Sequence, residues 1–195
     1  MTLTKPGAKG QSMVIDLAFA VLIFLLIAGS ISWIWSNKAA ESEKLLYENE
    51  IKTMSKRALD LLTVSRGQPS DWEKFTIDNV VTIGLARRSM VLDETKINQF
   101  MTWSGSQEEK VKQKLLIGAN KYYFRLIDPS TMETVKNSSD TAIEAGTKPG
   151  EDKLQSTVRK AVVFTYNRPS EDSPGERRPH EAIAELTLYA DYRTW

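Results

Sequence analysis

Lys9-Gly10-Gln11-Ser12-Met13-Val14-Ile15-Asp16, followed by an uncharged, largely apolar run from Leu17 to Trp35, decides how this chain is read. As a helix rising 1.5 Å per residue, the run reaches about 28 Å, close to the roughly 30 Å hydrocarbon core of a bilayer. Trp33 and Trp35 stand at its end, where indole rings favour a membrane–water interface, and Asn37-Lys38 stops it. Ahead of it, Met1 to Gly10 carries Lys5 and Lys9 and no acid, which favours a cytoplasmic N-terminus with the remainder sent across. A single-pass membrane protein with an extracytoplasmic C-terminal part is the expectation. Ala28-Gly29-Ser30 has the small residues of a secretory cleavage site, but the apolar run continues past it, unlike an ordinary signal peptide.

The order of these residues resembles something more specific. Lys9-Gly10 directly before Gln11-Ser12, an acid soon after, and then about twenty apolar residues resemble the class III signal peptide of archaeal pilins and pilin-like proteins. The resemblance implies that a membrane-embedded prepilin peptidase cuts between Gly10 and Gln11, with Lys9 and Gly10 as the recognition pair and Gln11 as the new N-terminus. It implies a leader over 1–10, a transmembrane and assembly helix over 11–36, and retention of that helix in the mature protein. The implied partners are the peptidase, other pilin-like subunits and membrane lipid. The family carries Glu one position nearer the cut; Asp16 is the corresponding acid here, one step later.

Asp16 has two readings. At the rim of the apolar run it stabilises the positive end of the helix dipole. Alternatively, it neutralises the α-ammonium that cleavage creates at Gln11 of a neighbouring subunit, because two charges paired in a dry bundle attract while either alone is costly to bury. An Asp at the centre of a membrane helix costs about 2.5–3.5 kcal/mol and less near its end, so a modest partner suffices. Ala28 and Ser32, four apart with Gly29 and Ser30 between, offer a thin face for close helix packing.

Beyond the membrane run, 37–65 reads as a continuation of the same helix, free of Gly and Pro, so one helix spans Ser12 to Val64. Tyr47, Ile51, Met54, Ala58 and Leu61 form its apolar stripe, with Glu and Lys residues on the solvated side. Gly67 and Pro69 end it. In the remainder, 66–195, Ser70 to Glu73 has capping-box spacing for a short turn, and Phe75 to Leu85 has the β-branched content of a short strand. A helix follows behind Asp93, with Ile97, Phe100 and Met101 inward. Ser106 to Glu109 predicts a second capping box, opening a helix with Val111, Leu115 and Leu116 inward. Lys121 to Ile127, Met132 to Val135, Val158 to Tyr166 and Ala182 to Ala190 read as strands, the last two as an antiparallel hairpin. Asn137 to Asp152 and Asn167 to His180 read as exposed polar loops. The fold class is therefore α+β: a long N-terminal membrane and assembly helix packed on a small antiparallel sheet with short helices.

Chemistry is sparse. The chain of 195 residues has net charge +1, no cysteine and one histidine, so nothing argues for nucleic acid, a thiolate or a Cys-type zinc site. His180 alone lacks the partners of a triad or a multi-His metal site, and Glu171, Asp172 and Glu176 lack the spacing of a calcium loop. Arg87-Arg88 and Arg177-Arg178 are too short for an electrostatic footprint. The expectation is a non-enzyme without cofactor or metal. Asn137-Ser138-Ser139 is a candidate glycosylation sequon. Function is then expected to be that of a pilin-like subunit assembled into a surface filament or pseudopilus, or else a binding module tethered by an uncut helix.

Overall fold

The structure is a computed structural model and describes residues 9–150, 154–167 and 177–190. No Gly or Pro interrupts 30–65, and α1 (Lys9–Val64) is one unbroken helix. The chain parts into two units, Met1–Tyr47 and Glu48–Trp195. The described part of the first is α1 alone. The second begins with the last turns of α1 and holds every other element.

In that second unit α1 buries Ile51, Ser55, Ala58, Leu59 and Leu62, whereas Met54 and Leu61 of the predicted stripe are only half-buried, as is Tyr47, the last residue of the first unit. The buried face is rotated toward Ser55, which an apolar count cannot find. A serine is tolerated there because its hydroxyl turns back to Ile51 O at 2.8 Å and also reaches Ser156 O at 3.4 Å. The carbonyls that a helix end leaves without partners are taken up by the following segment. Leu62 O accepts from Leu85 N at 2.8 Å, Thr63 O from Met90 N at 2.9 Å, and Ser65 O from Ala86 N at 3.2 Å.

Two single-turn 3-10 helices (Trp72–Lys74 and Ile77–Asn79) precede β1 (Ala86–Arg88) and β2 (Val91–Asp93). Then come α2 (Glu94–Ser106), α3 (Glu108–Leu115), β3 (Lys121–Ile127), β4 (Glu144–Gly146), β5 (Leu154–Asn167) and β6 (Arg177–Ala190). One six-stranded sheet runs β1-β2-β5-β6-β3-β4. Every pairing is antiparallel except β2 with β5, which is parallel. The long hairpin keeps a single register from Leu154↔Ala190 to Asn167↔Arg177. The fold is thus α+β, as the periodicities predict.

One sheet face carries the core. Tyr122, Phe124 and Leu126 alternate on β3 beside Ala184, Leu186 and Leu188 on β6, all buried. Phe100 of α2 meets Phe124 edge-on at 5.7 Å between centroids and Tyr122 at 6.2 Å. Tyr122 Oη donates to Ser104 Oγ at 2.8 Å, which lets a phenol end in an apolar layer. Burial pushes that phenol's pKa above its ordinary range.

Several local expectations fail for identifiable reasons. Phe75 to Leu85 forms no strand; a 3-10 turn and the isolated bridge Gln68↔Thr82 replace it. Ser106 does not cap α3: its hydroxyl bonds back to Thr102 O at 2.8 Å within α2, and Gln107 takes the cap position without a side-chain bond. Leu116 points outward, not inward. Met132 to Val135 contributes only the bridge Ile127↔Thr134. The stretch read as a loop from Asn137 onward holds β4, and 151–153 lie outside the described residues. The hairpin strands reach Asn167 and Arg177, so His180 lies on β6 and not in a loop; residues 168–176 of the predicted tip lie outside the described residues.

Candidate functional site

The residues expected from the sequence to carry function lie in the N-terminal helix. Lys9, Gly10 and Gln11 lie in the helical backbone of α1, and their side chains lie outside the description. Asp16 is exposed. From Leu17 to Trp35 the large apolar side chains lie bare within the chain, Phe24 at 68 % and Trp35 at 72 % exposure. Ala28 is half-buried and Ser32 exposed, one turn apart; a methyl placed on Gly29 would meet nothing within 4 Å. Ser30 Oγ donates to Leu26 O at 2.7 Å, which hides its polarity from an apolar surround. α1 is the one helix among the described residues long and apolar enough to cross a membrane. A continuous bare surface of this kind needs lipid or protein around it.

Three arrangements of titratable residues stand out among the described residues of the domain. At the end of β3, Asp128 Oδ1 accepts from Ser130 N at 2.8 Å and from the Ser130 hydroxyl, while Oδ2 lies 3.2 Å from His180 Nε2. The Ser130 hydrogen bonds hold the Asp128 carboxyl below its usual range. Thr131, Glu133, Lys136, Asn137 and Asp140 complete a polar hollow of about 310 Å³. The Ser130 hydroxyl is directed to Asp128 and not to the imidazole, so the group is not arranged as a nucleophile and its base.

The second arrangement spans three strands. Arg125, Glu185 and Arg159 share one row on the sheet face opposite the aromatic core. Arg125 Nε donates to Glu185 Oε1 at 2.7 Å and Arg159 Nε to Oε2 at 2.5 Å. Burial alone would raise the Glu185 carboxyl, but the two guanidinium hydrogen bonds outweigh it and hold it below its ordinary value. Nearby, Tyr123 Oη donates to Glu144 Oε2 at 2.6 Å, and burial followed by that bond pushes the phenol up to about 12. Nothing in the sequence announces this row, because it exists only once strand register is known.

The third arrangement is a buried lysine. Lys96 Nζ donates to Arg66 O at 2.5 Å and Ser70 O at 2.6 Å, closing the turn after α1. Burial lowers its pKa, while the Glu73 and Asp93 carboxylates act in the opposite sense.

Asn137 serves the fold. Its Nδ2 donates to Asn98 Oδ1 at 2.9 Å, and its Oδ1 accepts from Ser139 N and Thr141 N at 3.0 and 2.9 Å. Ser138 N donates to Glu94 Oε1 at 2.7 Å, so the sequon loop is pinned to α2. Arg87 and Arg88 are exposed on the edge strand β1. Among the described residues no three His, Asp or Glu side chains converge as a metal-binding group; Glu171, Asp172 and Glu176 lie outside them. No protein-family model, curated protein or solved structure matches the chain.

Proposed function

We propose that this chain is a pilin-like structural subunit, trimmed by a prepilin peptidase between Gly10 and Gln11 and assembled through the apolar part of α1 into a surface filament or pseudopilus. The N-terminus is cytoplasmic before cleavage and the domain from Glu48 onward is displayed outside. The role is cohesive and not enzymatic. Asp16 then neutralises the new ammonium at Gln11 of a neighbouring copy, and Ala28 and Ser32 give neighbouring helices room to approach.

One observation carries the reading. A single helix supplies both the bare apolar surface and, through Ile51 to Leu62, part of the domain core. A tether needs no such continuity, since a flexible linker holds a domain at a membrane equally well. An element that assembles must instead present a bare apolar surface to its neighbours, as Leu17 to Trp35 do.

Intact-mass measurement of the protein from membranes and from sheared surface material tests this. The expected N-terminus is Gln11, with Gly10→Val leaving the leader attached and the surface fraction empty. A surface-exposed mature protein that begins at Met1 or Thr2 would mean an uncut, tethered module instead.

A further inference from the structure

The sheet leaves β5 half-paired. β6 runs along its whole length, from Leu154↔Ala190 to Asn167↔Arg177, but β2 meets it at Val163, Phe164 and Thr165 alone. Among the described residues no strand lies on the β2 side of 154–162. Val163 N donates to Met90 O at 2.8 Å, so the N–H and C=O of Val163 point to that side. Backbone direction alternates along a strand, and the register with β6 never shifts. Gln155, Thr157, Arg159 and Ala161 therefore point their N–H and C=O the same way. All four residues are exposed. At about 3.3 Å per residue they open roughly 20 Å of sheet edge. Such edges are ordinarily blunted by proline, by a bulge or by an inward-pointing charge. β5 has no proline and no bulge, and its inward Lys160 is neutralised by Asp60 of α1.

One flank of α1 borders this edge. Lys52, Lys56 and Asp60 follow one another at four-residue spacing and so share a flank. Asp60 meets Lys160 of β5, and Lys52 lines a hollow of about 330 Å³ with Glu48, Ile51, Gln155 and Ser156. Glu48, the acid among these, already has an interaction within the chain. Lys52 and Lys56 are exposed, and among the described residues neither has a carboxylate partner. The open edge is therefore basic on its α1 side. On the opposite face its neighbours are Gln155, Thr157 and Ala161, uncharged, with Arg159 already bound to Glu185.

We infer that this edge takes up an extended acidic segment of a partner protein as an added strand. The partner's backbone pairs with Gln155, Thr157, Arg159 and Ala161, and its alternate side chains carry carboxylates toward Lys52 and Lys56. A basic rim alone would take any anion, and an open ladder alone would take any strand. Together they select a strand with acids at every second position. The contact lies wholly within the unit from Glu48 onward and serves an assembling subunit and a tethered module alike.

Full-length protein in detergent micelles tests this with a seven-residue peptide alternating Thr and Glu, capped at both ends. The peptide is expected to slow hydrogen exchange at the amides of Gln155, Thr157, Arg159 and Ala161. Ser156, Val158 and Lys160, whose amides face β6, should stay unchanged. An alternating Thr-Lys peptide should bind at least about tenfold more weakly. Of two Thr-Glu peptides N-methylated at Glu or at Thr, one and not the other should lose binding, because only one set of N–H groups faces β5. Lys52→Glu with Lys56→Glu should weaken the Thr-Glu peptide and strengthen the Thr-Lys peptide, with the melting temperature little changed. Unprotected amides at saturation, or undiminished binding of both N-methylated peptides, overturn strand addition. Equal binding of the Thr-Lys peptide overturns the acidic partner. Protection of the same amides on raising protein concentration alone assigns the edge to a second copy and also overturns it. None of these outcomes depends on cleavage after Gly10, so the subunit reading stands or falls separately.

Discussion

Glu185 shows how a charge is held where water is scarce. Its carboxylate is 5 % exposed and receives one guanidinium nitrogen on each oxygen. Arg159 keeps 57 % of its side chain in water, so the cost of removing the carboxylate falls below the roughly 3–5 kcal/mol of a fully buried pair. Glu185→Gln is expected to cost about 1–2 kcal/mol at neutral pH by urea unfolding. The sign of the pH effect follows from the lowered carboxyl. Above its ordinary value of 4.5 its contribution is complete, and it is lost as pH falls through the folded-state value, where the unfolded chain already binds the proton. Wild type should therefore lose stability faster than Glu185→Gln below that ordinary value. Equal acid limbs for the two proteins would contradict the account. The row is invisible in sequence because Arg125, Arg159 and Glu185 lie 26 and 60 positions apart in their pairings.

At the scale of elements, the ending of α1 is the most closely determined local structure. Gly67 has φ +83, and a methyl there would lie 2.3 Å from the Trp72 ring and 2.9 Å from Thr82 O. Trp72 in turn donates to Gly84 O at 2.7 Å and lies 4.9 Å from Trp103, with the two rings tilted by 40°. Gly67→Ala meets both the left-handed strain of about 1–2 kcal/mol and the displacement of a fully buried indole. The expected loss is above about 2 kcal/mol, read as a fall in melting temperature of at least about 4 °C. Long periodic elements were legible in advance. α1, the Asp93-capped α2, β3 and the β5–β6 hairpin each repeat a pattern over enough residues to fix its period. Asp93 does cap, accepting from Thr95 N at 3.0 Å. β1, β2 and β4, at three residues each, are too short to show any period. His180 was misplaced because Arg, Pro and Glu around it imitate a loop, whereas strand pairing continues through Arg178↔Tyr166. Of the candidate site, the apolar run was legible by length alone; the direction of Leu116 was not, since a buried and a solvent-facing cap leucine read alike in sequence.

At the scale of the whole chain, the two units make opposite demands on their surroundings. The domain closes its own core, with Trp72, Phe100, Phe124, Phe164 and Leu186 essentially inaccessible. A fragment from Glu48 to Trp195 is expected to be soluble, monomeric and cooperative in thermal melting followed by circular dichroism. An aggregated or non-cooperative fragment would show that the apolar half of α1 is needed for folding. The last carbonyls of α1 bind Leu85 and Met90, that of Ser65 just beyond it binds Ala86, and Lys96 holds the next turn. Tension applied along that helix therefore reaches the sheet through several bonds loaded together and not through a single peptide link. A helix end anchored this way resists being peeled from the segment that leads into the sheet.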